Sequence, residues 1–156
     1  NFILLVVGGS DKKGSYLNKI KSKIKELNLD NKILFCGNLS DMPAVYSIAD
    51  VVLSTSIEPE AFGRVSAEAS SMTKPIISSN HGGSREIIED GITGWLIEPS
   101  NPEKFANKII EVINLSQSKK DGLGANARRR IKQKFSLENM LNKTLSVYEE
   151  LLSTKK

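Results

Sequence analysis

Glu60 and Glu68 are the residues whose types and spacing point most directly to chemistry. They sit in the run Ser56-Ile57-Glu58-Pro59-Glu60-Ala61-Phe62-Gly63-Arg64-Val65-Ser66-Ala67-Glu68-Ala69. An apolar stretch ends before this run, a loop raises the first carboxylate, and Phe62-Gly63 opens a helix that carries the second. The positive end of such a helix, with its unpaired amides, suits a pyrophosphate or a hydroxyl-rich sugar. Glu68, flanked by Ala67, Ala69 and Ser70, reads as a buried carboxylate, which needs hydrogen-bond partners. A vicinal diol such as a ribose would supply two donors. From spacing alone a plainer reading is equally open: Glu60 compensates the helix dipole and Glu68 is solvated.

Two other constellations are weaker. Gly9-x4-Gly14-Ser15 approaches a phosphate-binding P-loop but lacks the Lys that must precede the Ser, so the contact to the outer phosphates is lost. Gly8-Gly9 also lacks the full Gly-x-Gly-x-x-Gly spacing and reads as a tight turn at a strand's carboxyl end, where parallel sheets bind ligands. Gly82-Gly83, with His81 and Glu86, precedes a helix start. It reads as a close backbone approach to an anion or sugar, or as a tight turn with Glu86 in the favourable first helical turn. His81 is the only histidine and Cys36 the only cysteine, which excludes a structural zinc site.

The elements that must position these residues alternate. Phe2–Val7 is a continuous apolar run, which predicts a strand buried on both faces as in a parallel sheet. Leu17, Ile20, Ile24 and Leu27 share a helical stripe. Strands follow at Ile33–Cys36, Val51–Leu53, Pro75–Ile77 and Trp95–Ile97. Helices are expected at Asp41–Ala49 with Ser40 as N-cap, at Arg64–Met72 and at Ser84–Glu89. This is the pattern of an α/β fold, a Rossmann-like doubly wound parallel sheet. After Pro99 the strands stop. Pro102 suits a first-turn position ahead of Phe105, Ile109 and Ile113 on one face. A break is expected around Gly122-Leu123-Gly124, then a helix through Arg128–Lys134. A final helix capped at Ser136, with Asn139 in the capping arrangement, carries an apolar face of Leu137, Leu141, Tyr148 and Leu152 to bury. The whole of residues 1–156 reads as one domain, with alternation over 1–98 and C-terminal helices over 99–156.

With 156 residues, 39% hydrophobic, the chain can bury a core without staples. A single cysteine precludes an internal disulfide and fits a reducing compartment. No stretch approaches the length of a membrane span, and no signal peptide opens the chain, so the reading is cytoplasmic. The net charge of +4 comes largely from helical Lys and Arg, notably over Lys119–Lys134. This is a solvated basic face or, on a sharper reading, a peripheral contact with an anionic membrane surface. Nucleic acid is not expected, because the basic stretch has no interleaved aromatics and no reading motif.

Taken together, the motifs resemble those of the retaining GT-B glycosyltransferases of the "glycosyl transferases group 1" type. Glu60, Phe62-Gly63, Glu68-Ala69 and Pro75-Ile76-Ile77 stand where the Glu-x7-Glu signature of that family places them. Gly82-Gly83, Glu86-Ile87, Asp90-Gly91, Thr93-Gly94, Trp95-Leu96-Ile97 and, upstream, Val7-Gly8, Phe35-Cys36-Gly37 and Ala49-Asp50 continue the match. The resemblance covers roughly residues 1–110. It implies a nucleotide-sugar donor-binding domain, with Glu68 on the ribose hydroxyls and Glu60 at the transferred sugar as the catalytic-site carboxylate. Backbone amides of Phe62, Gly63 and Arg64 would meet the donor sugar or its diphosphate. Gly8, Gly37, Asn38 and Leu39 would lie near the base. The resemblance implies hexosyl transfer with retention and no metal or other cofactor, basic side chains and helix N-termini stabilising the leaving group. A role in cell-envelope polysaccharide synthesis is an analogy only.

The chain also departs from the family pattern. Nothing in it corresponds to the first strand of the family's domain, nor to the Gly-Arg…Lys-Gly segment that clamps the diphosphate. That strand would lie centrally, between Phe2–Val7 and Val51–Leu53. The N-terminal acceptor-binding domain is absent as well, so the chain is expected to be part of a longer protein and inactive alone. In full-length relatives the final helix would cross over to that domain, so in this chain alone its apolar face is expected to be exposed. The alternative from another class is a non-catalytic or degenerate nucleotide-sugar-binding module. A phosphorylase or an epimerase of the same architecture is more remote, since neither pattern is visible.

Overall fold

The computed structural model describes residues 2–9 and 14–154. In chain order the elements are β1 (Leu4–Val7), α1 (Ser15–Glu26), β2 (Ile33–Gly37), α2 (Met42–Ile48), β3 (Val52–Ser54), α3 (Arg64–Ser71), β4 (Ile76–Ser79), α4 (Ser84–Ile87), β5 (Trp95–Ile97), α5 (Pro102–Ile113), α6 (Gln117–Lys134) and α7 (Leu137–Ser153). Strands and helices alternate through β5 and helices follow, as the apolar periodicity predicts. Every described strand pairing is parallel, but the strands form two sheets rather than one, β1-β2 and β3-β4-β5. The chain divides into two compact units, Asn1–Met42 and Pro43–Lys156.

In the first unit, β1 runs beside β2 with Leu4 opposite Ile33 and Val7 opposite Gly37. The apolar run was expected to be buried on both faces. Instead Phe2, Ile3 and Val6 are exposed, and Leu4, Leu5 and Val7 are half-buried. A strand with one ladder partner keeps an open edge and only partly covered faces. Along α1, Ile24 is buried and Leu17 and Ile20 are half-buried, whereas Leu27 reaches solvent at the helix end.

The second unit is built on β4, which lies between β3 and β5 and is buried at every residue. Ile77, Trp95, Ile97, Phe105, Val112 and Leu123 form its core, with Leu53, Ile109 and Leu115 packed against them. Asn101 caps α5 by accepting from the Lys104 amide at 3.0 Å, and Pro102 occupies the first helical position, where its missing N–H costs nothing. The buried face of α5 runs Phe105, Ile109, Val112. Ile113, expected on that face, is one residue further round and is exposed.

One C-terminal expectation is corrected. No break occurs at Gly122-Leu123-Gly124, because α6 is one continuous helix. A Cβ on Gly124 would fall 2.2 Å from the Thr73 carbonyl oxygen, so this glycine lets α6 lie against the end of α3. The helix propensity lost at each glycine is only about 1 kcal/mol, and Leu123 and Ala127 are buried beside it. In α7, Ser136 caps through the Asn139 amide as expected. Leu137, Leu141, Tyr148 and Leu152 have nothing to bury them and are exposed, as expected of this face in the chain alone, and no residue of this helix is buried.

Candidate functional site

The loop from the end of β3 to the start of α3 carries Glu60. Ser56 donates from Oγ to Glu60 Oε1, and His81 Nε2 lies 2.9 Å from the Ser56 carbonyl oxygen. The Gly83 amide donates to the Glu60 carbonyl at 2.8 Å. Gly82 has φ 52°, and a Cβ there would sit 2.4 Å from the Glu60 carbonyl oxygen; one on Gly83 would sit 2.2 Å from that of Phe62. The Gly82-Gly83 pair therefore faces the Glu60–Phe62 backbone, and its lack of side chains brings the two segments together. The other ring nitrogen of His81, Nδ1, is buried with no hydrogen-bond partner among the described residues. Glu86 is exposed, and its carbonyl accepts from Arg130, whose guanidinium also bonds the Ile87 carbonyl and the Glu89 carboxylate.

Gly63 ends the loop with φ 82° and precedes α3. A side chain there would be strained in backbone and would press within 3.2 Å of the Ser84 amide nitrogen. The first amides of α3 have no intrahelical acceptor by construction, so the helix opens towards its loop as a donor set. Phe62 is half-exposed and stands edge-on to Phe135, their ring centres 6.0 Å apart. Behind the helix, Ser78 and Ser84 are hydrogen-bonded at 2.9 Å, with Ser66 of α3 3.5 Å from Ser84.

The Glu68 side chain is about a third exposed, between the buried and the solvated readings that the spacing leaves open, and both oxygens have donors already. Oε2 accepts from the Tyr46 hydroxyl at 2.9 Å, and Oε1 from Arg64 at 3.1 Å. Arg64 is four residues back on the same helix and its side chain is largely exposed. Tyr46, on α2, is buried. Burial drives its hydroxyl pKa upward, and the Glu68 hydrogen bond and charge push the same way. The hydroxyl is thus held protonated as a donor. Tyr46 was missed in the sequence because it lies 22 residues before Glu68, with no shared helical or strand period to link them. Lys74 donates to the Ser47 carbonyl at 2.7 Å, a further link to the end of α2.

In the first unit, the Gly8 amide donates to the Gly37 carbonyl at 2.8 Å, and a Cβ on Gly9 would meet the Asn38 side chain at 3.1 Å. Gly8, Gly37 and Asn38 thus come together at the carboxyl ends of β1 and β2, with Leu39 following, exposed. Of the P-loop-like stretch Gly9–Ser15, residues 10–13 lie outside the described residues. Among the described residues no group of three or more His, Cys, Asp or Glu could hold a metal ion, and no helix is long and apolar enough to cross a membrane.

Known proteins resemble this chain in sequence and fold. The family model described as "Glycosyl transferases group 1" matches residues 1–130. Spore coat protein SA of Bacillus subtilis is 36% identical over 111 residues, 70% of this chain and 29% of that protein. An uncharacterized glycosyltransferase of Methanocaldococcus jannaschii is 33% identical over 138 residues, 88% of this chain and 39% of its own length. Among solved structures, a glycosyltransferase from Rickettsia africae superposes with a TM-score of 0.92 at 40% identity, covering 97% of this chain and 40% of that one. Anabaena HepE, in complex with UDP and glucose, gives a TM-score of 0.86 at 31% identity, covering 93% and 40%. The chain spans between 29% and 40% of the length of these relatives. Parallel α/β architecture, a glycine-backed carboxylate loop and a family match over most of the residues lead to one assignment: the chain belongs to the glycosyl transferases group 1 family.

Proposed function

We propose that this chain is the donor-binding part of a retaining hexosyltransferase that uses a nucleoside diphosphate sugar. The observation that carries the reading is the α3 entrance, where the Glu60 loop, the donor amides of Gly63 and Arg64, and the Glu68 carboxylate follow one another within a short stretch. Glu68 would accept from the ribose hydroxyls and Glu60 from hydroxyls of the transferred sugar. The amides of Phe62, Gly63 and Arg64 would offset the charge that develops on the diphosphate as the sugar leaves. Gly8 and Gly37–Leu39 would meet the base. That HepE was captured with UDP and glucose supports a nucleotide-sugar donor. Because the chain spans 40% or less of these relatives, the transfer and the acceptor belong to the whole protein.

Glu60 is assigned a positioning and electrostatic role at the sugar, and the leaving group departs without a metal. The test is to give the natural full-length protein a panel of UDP- and GDP-hexoses with candidate glycan and lipid-linked acceptors. Release of nucleoside diphosphate and the anomeric proton of the product would be followed by NMR. Transfer with the donor's anomeric configuration preserved, lowered roughly a hundredfold or more by Glu60→Gln, is the expected result. An inverted product would refute retention, and nucleotide binding without transfer would move the protein to the non-catalytic module.

A further inference from the structure

The two partners of Glu68 differ in kind. Tyr46 is 5% exposed, is neutral, and reaches Oε2 from a separate helix. Arg64 holds Oε1 from the same helix, with a side chain 83% exposed. An exposed pair of that sort contributes little and exchanges readily with solvent or ligand. A buried hydroxyl bonded to a charged oxygen is costly to strip of its partner. All of these groups belong to the unit Pro43–Lys156.

We propose that Tyr46 is a positioning residue that fixes Glu68 for ribose recognition, and that an incoming vicinal diol takes the oxygen Arg64 covers. The inference rests on the proposed donor site. A glutamate has three side-chain torsions, and ordering them during binding would cost affinity. Tyr46 removes much of that cost beforehand by holding Oε2, leaving Oε1 and the outer lone pairs to the diol. Tyr46 touches no substrate, so its contribution shows as discrimination for the ribose hydroxyls rather than as general affinity.

The experiment measures, by calorimetry on the natural full-length protein, the affinities for UDP, GDP and their 2′-deoxy forms. Wild type is compared with Glu68→Gln, Tyr46→Phe and the double variant. Expected is a preference for the ribonucleotide that falls roughly five- to tenfold in Tyr46→Phe, where tenfold corresponds to about 1.4 kcal/mol. Little further change is expected when Tyr46→Phe is added to Glu68→Gln. If Glu68→Gln weakens binding while Tyr46→Phe leaves the ribo/deoxy ratio intact, Tyr46 is not a positioning residue, yet the donor site stands. If Glu68→Gln changes nothing, the donor-site reading itself fails and the role of Tyr46 fails with it. NMR of the wild type gives a measurement independent of the variant's folding. A slowly exchanging Tyr46 hydroxyl proton that persists and shifts when the nucleotide is added supports the proposal. Its loss on binding would overturn it.

Discussion

At the scale of single residues, the site is a set of close approaches and paired oxygens. Tyr46 makes a prediction about alkali. Its hydroxyl keeps its proton in the folded chain above the usual tyrosine pKa of about 10. The unfolded chain loses that proton first, so the contribution to stability is complete below about pH 10 and declines as pH rises beyond it. Denaturant midpoints measured from pH 8 to 11 should therefore fall less steeply for Tyr46→Phe than for wild type. Gly83 makes a steric prediction. Gly83→Ala would drive a methyl into the Phe62 carbonyl, so it should lower the melting temperature and disorder the Glu60 loop. Overpacking of this kind costs about 1–3 kcal/mol, readable by calorimetry.

Elements are the scale at which sequence and structure can be compared usefully. The strands and helices that hold Glu60 and Glu68 were legible because apolar runs, glycine stops and helical stripes are local signals, and the order β3, loop, α3, β4 follows them directly. What local signals could not carry was pairing. Phe2–Val7 reads as a buried strand whether it has one neighbour or two, so its partial exposure was invisible. Gly122 and Gly124 both read as breaks, yet only the contact of Gly124 with Thr73 tells that a helix passes through them. The same contact yields a paired prediction for α6. Gly124→Ala should destabilise by about 2 kcal/mol through overlap with the Thr73 carbonyl. Gly122→Ala, which faces open space, should stabilise by about 0.5–1 kcal/mol by removing backbone freedom from a helix interior. Thermal melts of the two variants separate these signs. The Tyr46–Glu68 bond was likewise unreadable, since it joins two helices across a strand and a long loop.

For the whole molecule, α7 is the outlying feature. Leu137, Leu141, Leu145, Tyr148 and Leu152 repeat at helical spacing and all are exposed. Apolar surface of that extent drives association. Replacing Leu141, Leu145 and Leu152 together by Glu should reduce concentration-dependent self-association of the isolated chain in sedimentation experiments. The melting temperature should hardly change, because none of the three is buried. Activity of the full-length protein should also persist in excess chelator, as the proposed diphosphate stabilisation is assigned to backbone amides rather than to a metal ion.

The most direct measurement is a calorimetric titration of the natural full-length protein with UDP and with GDP, for wild type and Glu68→Ala. One of the two nucleotides should bind, and the loss of Glu68 should weaken it by roughly ten- to a hundredfold, the scale of hydrogen bonds to a charged group. If neither nucleotide binds, or if Glu68→Ala binds as tightly as wild type, the Glu68 carboxylate on α3 is architecture and the donor-site assignment is wrong.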